Sequence, residues 1–146
     1  MKTIIILFHP NPENSIRNRQ IQERIQQLHN VTYHTISSTI DAPAEQALLK
    51  QFDRIVFQYP IYWYNIPGCG QLYLDAVLDK NLFKNKKLKV IATTGAPRIV
   101  YKNKRNLLKF WECIAQLCGF QLEKPLIWFA MQNQFKLNDL KKQLAK

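Results

Sequence analysis

The sequence TIIILF at residues 3–8 decides the predicted fold. This β-branched apolar run predicts a strand buried on both faces, which is typical of a parallel sheet covered by helices. A helix is predicted next, because Ser15 can cap it. Its apolar residues Ile21, Ile25 and Leu28 lie at helical spacing. This part of the chain is therefore predicted to form a strand, a loop and an amphipathic helix.

The same alternation continues along the chain. Further strands are predicted at residues 31–37, 54–59, 88–93 and 126–131. Further helices are predicted at about 43–51, 68–79, 104–118 and 136–145. Such alternation implies right-handed parallel crossovers and one sheet with helices on both faces. We predict a single α/β domain over residues 1–146, a flavodoxin-like three-layer sandwich whose five-stranded parallel sheet has the order 2-1-3-4-5.

Composition bounds the partners and the compartment. The 146 residues include 21 Lys and Arg against 10 Asp and Glu, a formal net charge of +11, which favours phosphorylated ligands, polyanions or an anionic membrane surface. Nucleic acid is not expected, because no nucleic-acid-binding motif is present. Three cysteines without a CxxC motif argue against disulfides and a metal site, so we expect a cytoplasmic location. No apolar run approaches the roughly 18 residues of a spanning helix, so a soluble protein is expected.

The loop after the first strand is a candidate phosphate site. Ser15 and Asn18 lie where this loop meets a helix N-terminus. Backbone N–H groups, the Ser hydroxyl, the Asn amide and the helix dipole can converge there on a phosphate, and Arg17 adds a cation. The alternative is an ordinary helix cap, since Ser is a preferred capping residue.

Two more loops follow strands at the same predicted edge. Residues 59–67, YPIYWYNIP, carry four aromatics in six positions between prolines, which suits a large planar ligand better than a core. Trp63 or Tyr64 could pack on the face of such a ligand. Residues 93–97, TTGAP, offer hydroxyl donors and a glycine, Gly95, that permits close backbone approach. Alone, TTGAP is as often a plain turn as a site.

Together these segments resemble the flavodoxin-like NAD(P)H:quinone oxidoreductase family, which includes the ancillary flavoproteins of bacterial glutathione-gated potassium-efflux systems. The matching segments are HPNPENSIRN (9–18), AEQ (44–46), FDRIVFQYPIYWYNIP (52–67), LYLDAVL (72–78), TTGAP (93–97) with Tyr101, and CGFQLEKP (118–125). The resemblance implies FMN as cofactor, with FAD less suited to so short a chain. It also implies NAD(P)H as substrate and a quinone or similar small molecule as electron acceptor.

The resemblance also implies which residues form the site. The flavin phosphate and ribityl side would contact His9, Ser15, Ile16, Arg17 and Asn18. The isoalloxazine would be lined by Pro60, Ile61, Tyr62, Trp63 and Tyr64. Its other edge would be bordered by Thr93, Thr94, Gly95 and Ala96. Tyr101 is the candidate catalytic residue, as a donor to the reduced flavin or a substrate carbonyl, and the alternative is a surface-loop tyrosine.

Two segments, 79–87 and 102–107, are shorter than is usual in the family and would leave the nicotinamide and quinone pocket open. Two functions therefore stay open. One is an FMN-dependent NAD(P)H oxidoreductase. The other is a flavin-binding regulatory subunit of a membrane transporter, at the inner face of the membrane, with little or no turnover. A homodimer is expected, with residues 66–73 as the contact. The basic tract 80–109 is either a solvated face or a surface for NADPH phosphates or an acidic partner.

Overall fold

The structure is a computed structural model that describes residues 1–101, 104–131 and 137–146, with the backbone alone for residues 104–107. The strands are β1 (Thr3–Leu7), β2 (Val31–His34), β3 (Arg54–Pro60), β4 (Lys87–Pro97), β5 (Gln121–Leu122) and β6 (Leu126–Ala130). The helices are α1 (Ile16–Ile25), α2 (Ala42–Lys50), α3 (Gly68–Val77), α4 (Lys104–Cys118) and α5 (Leu137–Ala145). Two short 3-10 turns lie at Pro12–Asn14 and Arg98–Val100.

All strand pairs in the sheet are parallel, and the order is β2-β1-β3-β4-β5 with β6 also paired to β4. The predicted fold class and strand order are confirmed. The predicted fifth strand, residues 126–131, is β6, which pairs with the later part of β4, and a further short strand that was not predicted, β5, pairs with the start of β4. Pro125 lies between them and has no N–H to donate to β4. The sheet therefore has six strands rather than five.

Two apolar cores cover the two faces of the sheet. Successive side chains of a strand point to opposite faces, so Ile4 and Ile6 join one core and Ile5 joins the other. The first core takes its helical residues from α2, α3 and α4, including Leu49, Tyr73 and Trp111. The second takes them from α1 and α5, namely Ile21, Ile25, Leu140 and Leu144. This two-sided burial explains why β1 and β3 are almost uniformly apolar.

Gly70 on α3 permits a close approach between the helix and the sheet. A Cβ atom at Gly70 would lie 2.8 Å from Cδ2 and Cγ of the fully buried Phe8 ring. We expect Gly70→Ala to lower the free energy of unfolding by about 1–3 kcal/mol, as overpacking typically does. Gly68→Ala is the matched control, because no described atom lies within 4 Å of a Cβ there. Urea denaturation of both variants tests this, and equal stabilities would contradict the packing described.

The segment expected to form a dimer contact, residues 66–73, is only partly exposed, because four of its eight residues are buried. Ile66, Gly70 and Tyr73 are buried, whereas Gly68 and Leu72 are exposed. Only the exposed side of α3 is therefore available to a second copy.

Among the helices of the described residues, none is both long and apolar enough to cross a membrane.

Candidate functional site

The structure brings the three predicted loops together at the carboxyl edge of β1, β3 and β4. The Ile61 N–H donates to the Thr93 carbonyl at 2.7 Å, which joins the aromatic loop to β4. The Arg17 guanidinium donates to the Thr94 carbonyl, which joins the start of α1 to the same strand. Loops that are far apart in sequence therefore form one surface, as expected for a fold whose ligands bind beyond the carboxyl ends of its strands.

The start of α1 carries donors that the described chain does not use. Ser15 precedes the helix, but its hydroxyl accepts no N–H of the first turn and instead accepts from Asn18 Nδ2 at 2.9 Å. The backbone N–H groups of Ile16, Arg17 and Asn18 have no acceptor among the described residues. Three backbone donors and the Ser15 hydroxyl proton at a positive helix end can bind a phosphate.

The Asn18 side chain points into the protein rather than toward a ligand. Its Nδ2 donates to Ser15 Oγ and also to Thr93 Oγ1 at 3.2 Å. Its Oδ1 accepts from Gln58 Nε2 at 3.0 Å. All the hydrogen-bonding groups of this amide are therefore engaged. Asn18 positions the Ser15 hydroxyl, and only its backbone N–H is available to a phosphate.

Gln58 and Tyr33 complete this buried network and were missed by the sequence analysis. Gln58 is fully buried in β3, and its Oε1 accepts from the Tyr33 hydroxyl at 3.1 Å. Burial raises the pKa of Tyr33, so its hydroxyl keeps its proton and remains a donor. A glutamine inside the apolar run of β3 was the available signal, because a buried amide requires partners.

His9 lies in the loop before α1, and Arg17 lies in the first turn of this helix. His9 Nδ1 accepts from the Asn11 N–H at 3.0 Å, which assigns the ring proton of the neutral imidazole to Nε2. Burial lowers the pKa of His9, with Glu13 opposing the shift, so the ring is neutral near pH 7. Besides its bond to Thr94, the Arg17 guanidinium lies 5.6 Å from the centroid of the Trp128 ring. His9 therefore offers an N–H donor and Arg17 a fixed positive charge.

The aromatic loop is a two-residue turn whose central residues are both left-handed. Tyr62 and Asn65 exchange two backbone hydrogen bonds of 2.9 Å, and φ is 49° at Trp63 and 63° at Tyr64. This is the pattern of a type I′ turn, which usually contains Asn and Gly. The N–H groups of Trp63 and Tyr64 have no acceptor among the described residues. The Trp63 side chain is 97% exposed, so the turn presents donors and an uncovered aromatic ring.

The left-handed backbone at Trp63 predicts a stabilising substitution. An L-residue pays about 1–2 kcal/mol for this conformation, and Asn tolerates it best among residues with a side chain. We expect Trp63→Asn to raise the free energy of unfolding by about 0.5–1 kcal/mol. Trp63→Ala is the control, because it removes the indole but keeps the strain. Thermal unfolding of the two variants tests this, and indistinguishable melting temperatures would refute the role of strain.

Tyr101 is not a surface tyrosine. It is buried, and its hydroxyl is hydrogen-bonded to Thr94 Oγ1 at 2.8 Å, in a bond in which either hydroxyl can be the donor; Thr94 Oγ1 accepts from the Ala96 N–H. Its ring meets the Tyr64 ring edge-on at 5.0 Å, and the Tyr64 hydroxyl donates to the Val100 carbonyl at 3.2 Å. Tyr101 therefore holds the aromatic loop against the end of β4.

The TTGAP segment contributes backbone and open space rather than hydroxyl groups. Thr93 and Thr94 are buried, and their hydroxyls are used inside the protein. The register between β4 and β6 shifts between Thr93 and Pro97, which is a bulge at the site. Gly95 lies in this bulge, exposed, with no described atom within 4 Å of a Cβ. A ligand can therefore approach the backbone there.

The remaining predicted residues line or flank this surface. Pro60 and Ile61 are buried at the end of β3, whereas Ile16 and Tyr62 are exposed and Ala96 is half-buried. Part of the segment 102–107 lies outside the described residues: residues 102 and 103 entirely, and residues 104–107 in their side chains.

Residues 79–86 do not form part of the site, which corrects one expectation. They precede β4, and the N–H groups of Asn81 and Phe83 donate to the Leu117 and Cys118 carbonyls at the end of α4. In a parallel crossover the helix-to-strand connection lies at the amino edge of the sheet, opposite the ligand edge. Their shortness therefore does not open the pocket of this subunit.

Comparison with known proteins extends over the whole chain. A family model described as a flavodoxin-like fold matches residues 1–146. The glutathione-regulated potassium-efflux system ancillary protein KefG of Enterobacter sp. (strain 638) is 31% identical, over 91% of this chain and 84% of that protein. The KefG protein of Pectobacterium atrosepticum is 32% identical, over 86% of this chain and 80% of that protein.

Two solved structures share the fold closely. General stress protein 14 of Treponema denticola, in complex with FMN, superposes with a TM-score of 0.82 at 25% identity, covering 99% of this chain and 94% of that one. An NADPH-quinone reductase from P. pentosaceus gives a TM-score of 0.82 at 23% identity with the same coverage. With a matching family model over its full length and relatives above 30% identity, this chain belongs to the flavodoxin-like family.

Proposed function

We propose that this protein binds FMN at the carboxyl edge of its sheet and transfers two electrons from NAD(P)H to a quinone or similar electrophile. The observation that carries the proposal is the convergence of unused donors. The first-turn N–H groups of α1 and those of Trp63 and Tyr64 lie on loops of one sheet edge. The structure of the Treponema denticola protein in complex with FMN supports FMN as the ligand.

The residues present fit a flavin mononucleotide. The start of α1, with the Ser15 hydroxyl and the charge of Arg17, would hold the phosphate. The His9 Nε2–H would donate beside it. The N–H groups of Trp63 and Tyr64 would meet the polar edge of the ring system, and the open space at Gly95 would admit its other edge.

A flavin, when bound, supplies the hydride and two-electron chemistry, so the chain needs to bind and orient rather than to provide an acid or base. Tyr101 would act here as a positioning residue, because its hydroxyl is bonded to Thr94. Thr94 in turn accepts from the Ala96 N–H, which keeps the bulge in place. This network would fix the backbone that faces the ring.

A regulatory flavin-binding subunit of a membrane transporter is the second candidate. The KefG relatives are ancillary proteins of a potassium-efflux system, at 31% and 32% identity. In this function the protein would lie in the cytoplasm at the inner face of the membrane, with little or no turnover. Flavin binding is common to both candidates, so turnover distinguishes them.

A homodimer would complete the site in either case. Large apolar side chains are exposed around the ligand edge and on α3: Ile16, Trp63, Leu72 and Ile99. Large apolar side chains that are exposed on one part of a surface favour an interface. The contact would therefore involve the outer side of α3 at Leu72 and the aromatic loop, rather than the buried side chains of residues 66–73.

The test combines flavin titration with anaerobic stopped-flow kinetics. We expect FMN to bind, NADH or NADPH to bleach its absorbance, and a quinone to restore it in a separate half-reaction. Double-reciprocal plots at several quinone concentrations should be parallel, since both substrates use one exposed face. Binding without bleaching by either nucleotide would favour the regulatory subunit. Absence of flavin binding would refute both candidates.

A further inference from the structure

A second cleft lies at the amino edge of the sheet, opposite the candidate flavin site. It has a volume of about 600 Å³ and lies between the first residues of β3 and β4, the segment before β6, and α5. Its size is within the roughly 300–1,000 Å³ typical of small-molecule sites. Nothing in the proposed flavin function uses it.

The side chains that line this cleft are mainly cationic. Five basic residues line it, namely Arg54, Lys87, Lys89, Lys124 and Lys146. They face two carboxylates, Glu123 and Asp139. The lining therefore carries an excess of positive charge within a concave space, which concentrates its field on an anion.

Glu123 is already engaged by two of these cations. Its Oε2 is 3.1 Å from Arg54 Nε, and its Oε1 accepts from Arg54 Nη2 at 3.2 Å. Lys87 Nζ lies 3.7 Å from the same Oε1. One carboxylate thus balances a buried guanidinium and a half-exposed ammonium, and no carboxylate is within ion-pair distance of Lys89 in the described residues.

Lys89 is the group that points to a ligand. Its side chain is 97% buried in β4, and Nζ donates to the Lys124 carbonyl at 3.1 Å, its one acceptor among the described residues. An ammonium has three protons to donate, and a buried charge without a counter-ion is unfavourable. The pKa of Lys89 is lowered overall, and burial is the largest cause. Glu123 opposes this shift, and the nearby Arg54 adds to it. A bound anion would supply the missing acceptors.

We propose that this cleft binds a small anion through a phosphate or pyrophosphate group, either free or carried on a nucleotide. Lys89 and Arg54 would contact the phosphate oxygens at the base of the cleft, since guanidinium and ammonium groups are the usual phosphate ligands. Lys87 and Lys146 would lie at its more exposed rim. Pro125 and Leu126 form an apolar wall against which a nucleoside could pack.

The test is calorimetric titration with pyrophosphate and, separately, with adenosine 5′-monophosphate, at constant ionic strength and with FMN present in excess. We expect both probes to bind, and Lys89→Met to weaken binding about tenfold or more. Lys109→Met is the matched control, because it removes the same charge from the exposed surface of α4. Absence of binding, or an equal loss in both variants, would overturn the proposal.

Two further measurements keep the test decisive. Lys87→Met changes a half-exposed side chain at the rim, so it should fold normally and weaken binding about threefold. If Lys89→Met does not fold, unchanged affinity in Lys87→Met would overturn the proposal. Titrations with and without FMN distinguish the cleft from the flavin site. If FMN competes with the probe, the probe binds at the start of α1 and the proposal is overturned. Tighter binding of adenosine 5′-monophosphate would indicate that the phosphate is carried on a nucleotide, and tighter binding of pyrophosphate would indicate a free anion.

Discussion

Trp111→Ala is expected to lower the free energy of unfolding by about 3–5 kcal/mol, the usual loss for a buried tryptophan. Trp111 has no exposed surface and stacks on Phe57 with the ring centroids 5.4 Å apart. Its Nε1–H donates to the Tyr59 hydroxyl at 2.8 Å. Burial raises the pKa of Tyr59 to about 12, so the substitution would leave a protonated, buried hydroxyl beside a cavity. Urea denaturation followed by far-UV circular dichroism measures the loss.

Trp63→Ala is the matched control for this prediction. Trp63 is almost completely exposed, and its replacement should change stability by less than about 0.5 kcal/mol. Trp111→Phe should give an intermediate loss, since it keeps a ring against Phe57 but leaves the Tyr59 hydroxyl unpaired. Similar losses of unfolding free energy in Trp111→Ala and Trp63→Ala would contradict the burial of Trp111 or the exposure of Trp63.

The contrast between the two tryptophans was predictable from sequence, because their surroundings in the chain differ. Trp111 lies on the apolar stripe of a helix, and Trp63 lies in a loop between prolines. The order of the sheet was predictable for a similar reason, since β1 and β3 are mostly apolar runs. The additional strand β5 was not predictable, because it is only two residues long and too short for a periodic signal.

The site was predictable at the level of loops but not of side-chain direction. The crossovers fix which loops meet at the carboxyl edge, so HPNPENS, YPIYWYNIP and TTGAP were brought together correctly. Whether Asn18 faces a ligand or the interior depends on Gln58, forty residues away in sequence. Thr94 and Tyr101 likewise satisfy each other, which residue type alone does not indicate.

The basic tract, residues 80–109, is continuous in sequence, but its described side chains lie in different parts of the fold. Three of its lysines have unrelated surroundings: Lys86 donates to carbonyls at the end of α2, Lys89 is buried in β4, and Lys109 pairs with Glu112. A charge run in sequence therefore does not form one charged face. The cationic cleft instead combines residues from several elements, so no single segment of the sequence predicts it.

Asn18→Leu is expected to abolish most of the preference for FMN over riboflavin. In the unmodified protein we expect FMN to bind about 100-fold more tightly, because its phosphate would accept charge-assisted hydrogen bonds at the start of α1. Asn18 holds the Ser15 hydroxyl and ties this turn to Thr93 and Gln58. Leucine cannot form these bonds, and the preference should fall to about tenfold or less. Fluorescence titration with both flavins gives the ratio.

The ratio of the two affinities separates a local effect from a loss of stability. Asn18→Leu also removes one acceptor of the buried Gln58 amide, which keeps the Asn18 carbonyl and the Tyr33 hydroxyl as partners, so the variant is expected to be less stable, with a larger unfolded fraction. Both flavins are measured on the same preparation, and the unfolded fraction lowers both apparent affinities equally. Ser15→Ala should lower the ratio without removing the buried network, whereas Asn14→Leu, on the exposed turn before α1, should leave it unchanged. An undiminished ratio in both Asn18→Leu and Ser15→Ala would mean that the phosphate does not bind at this helix end.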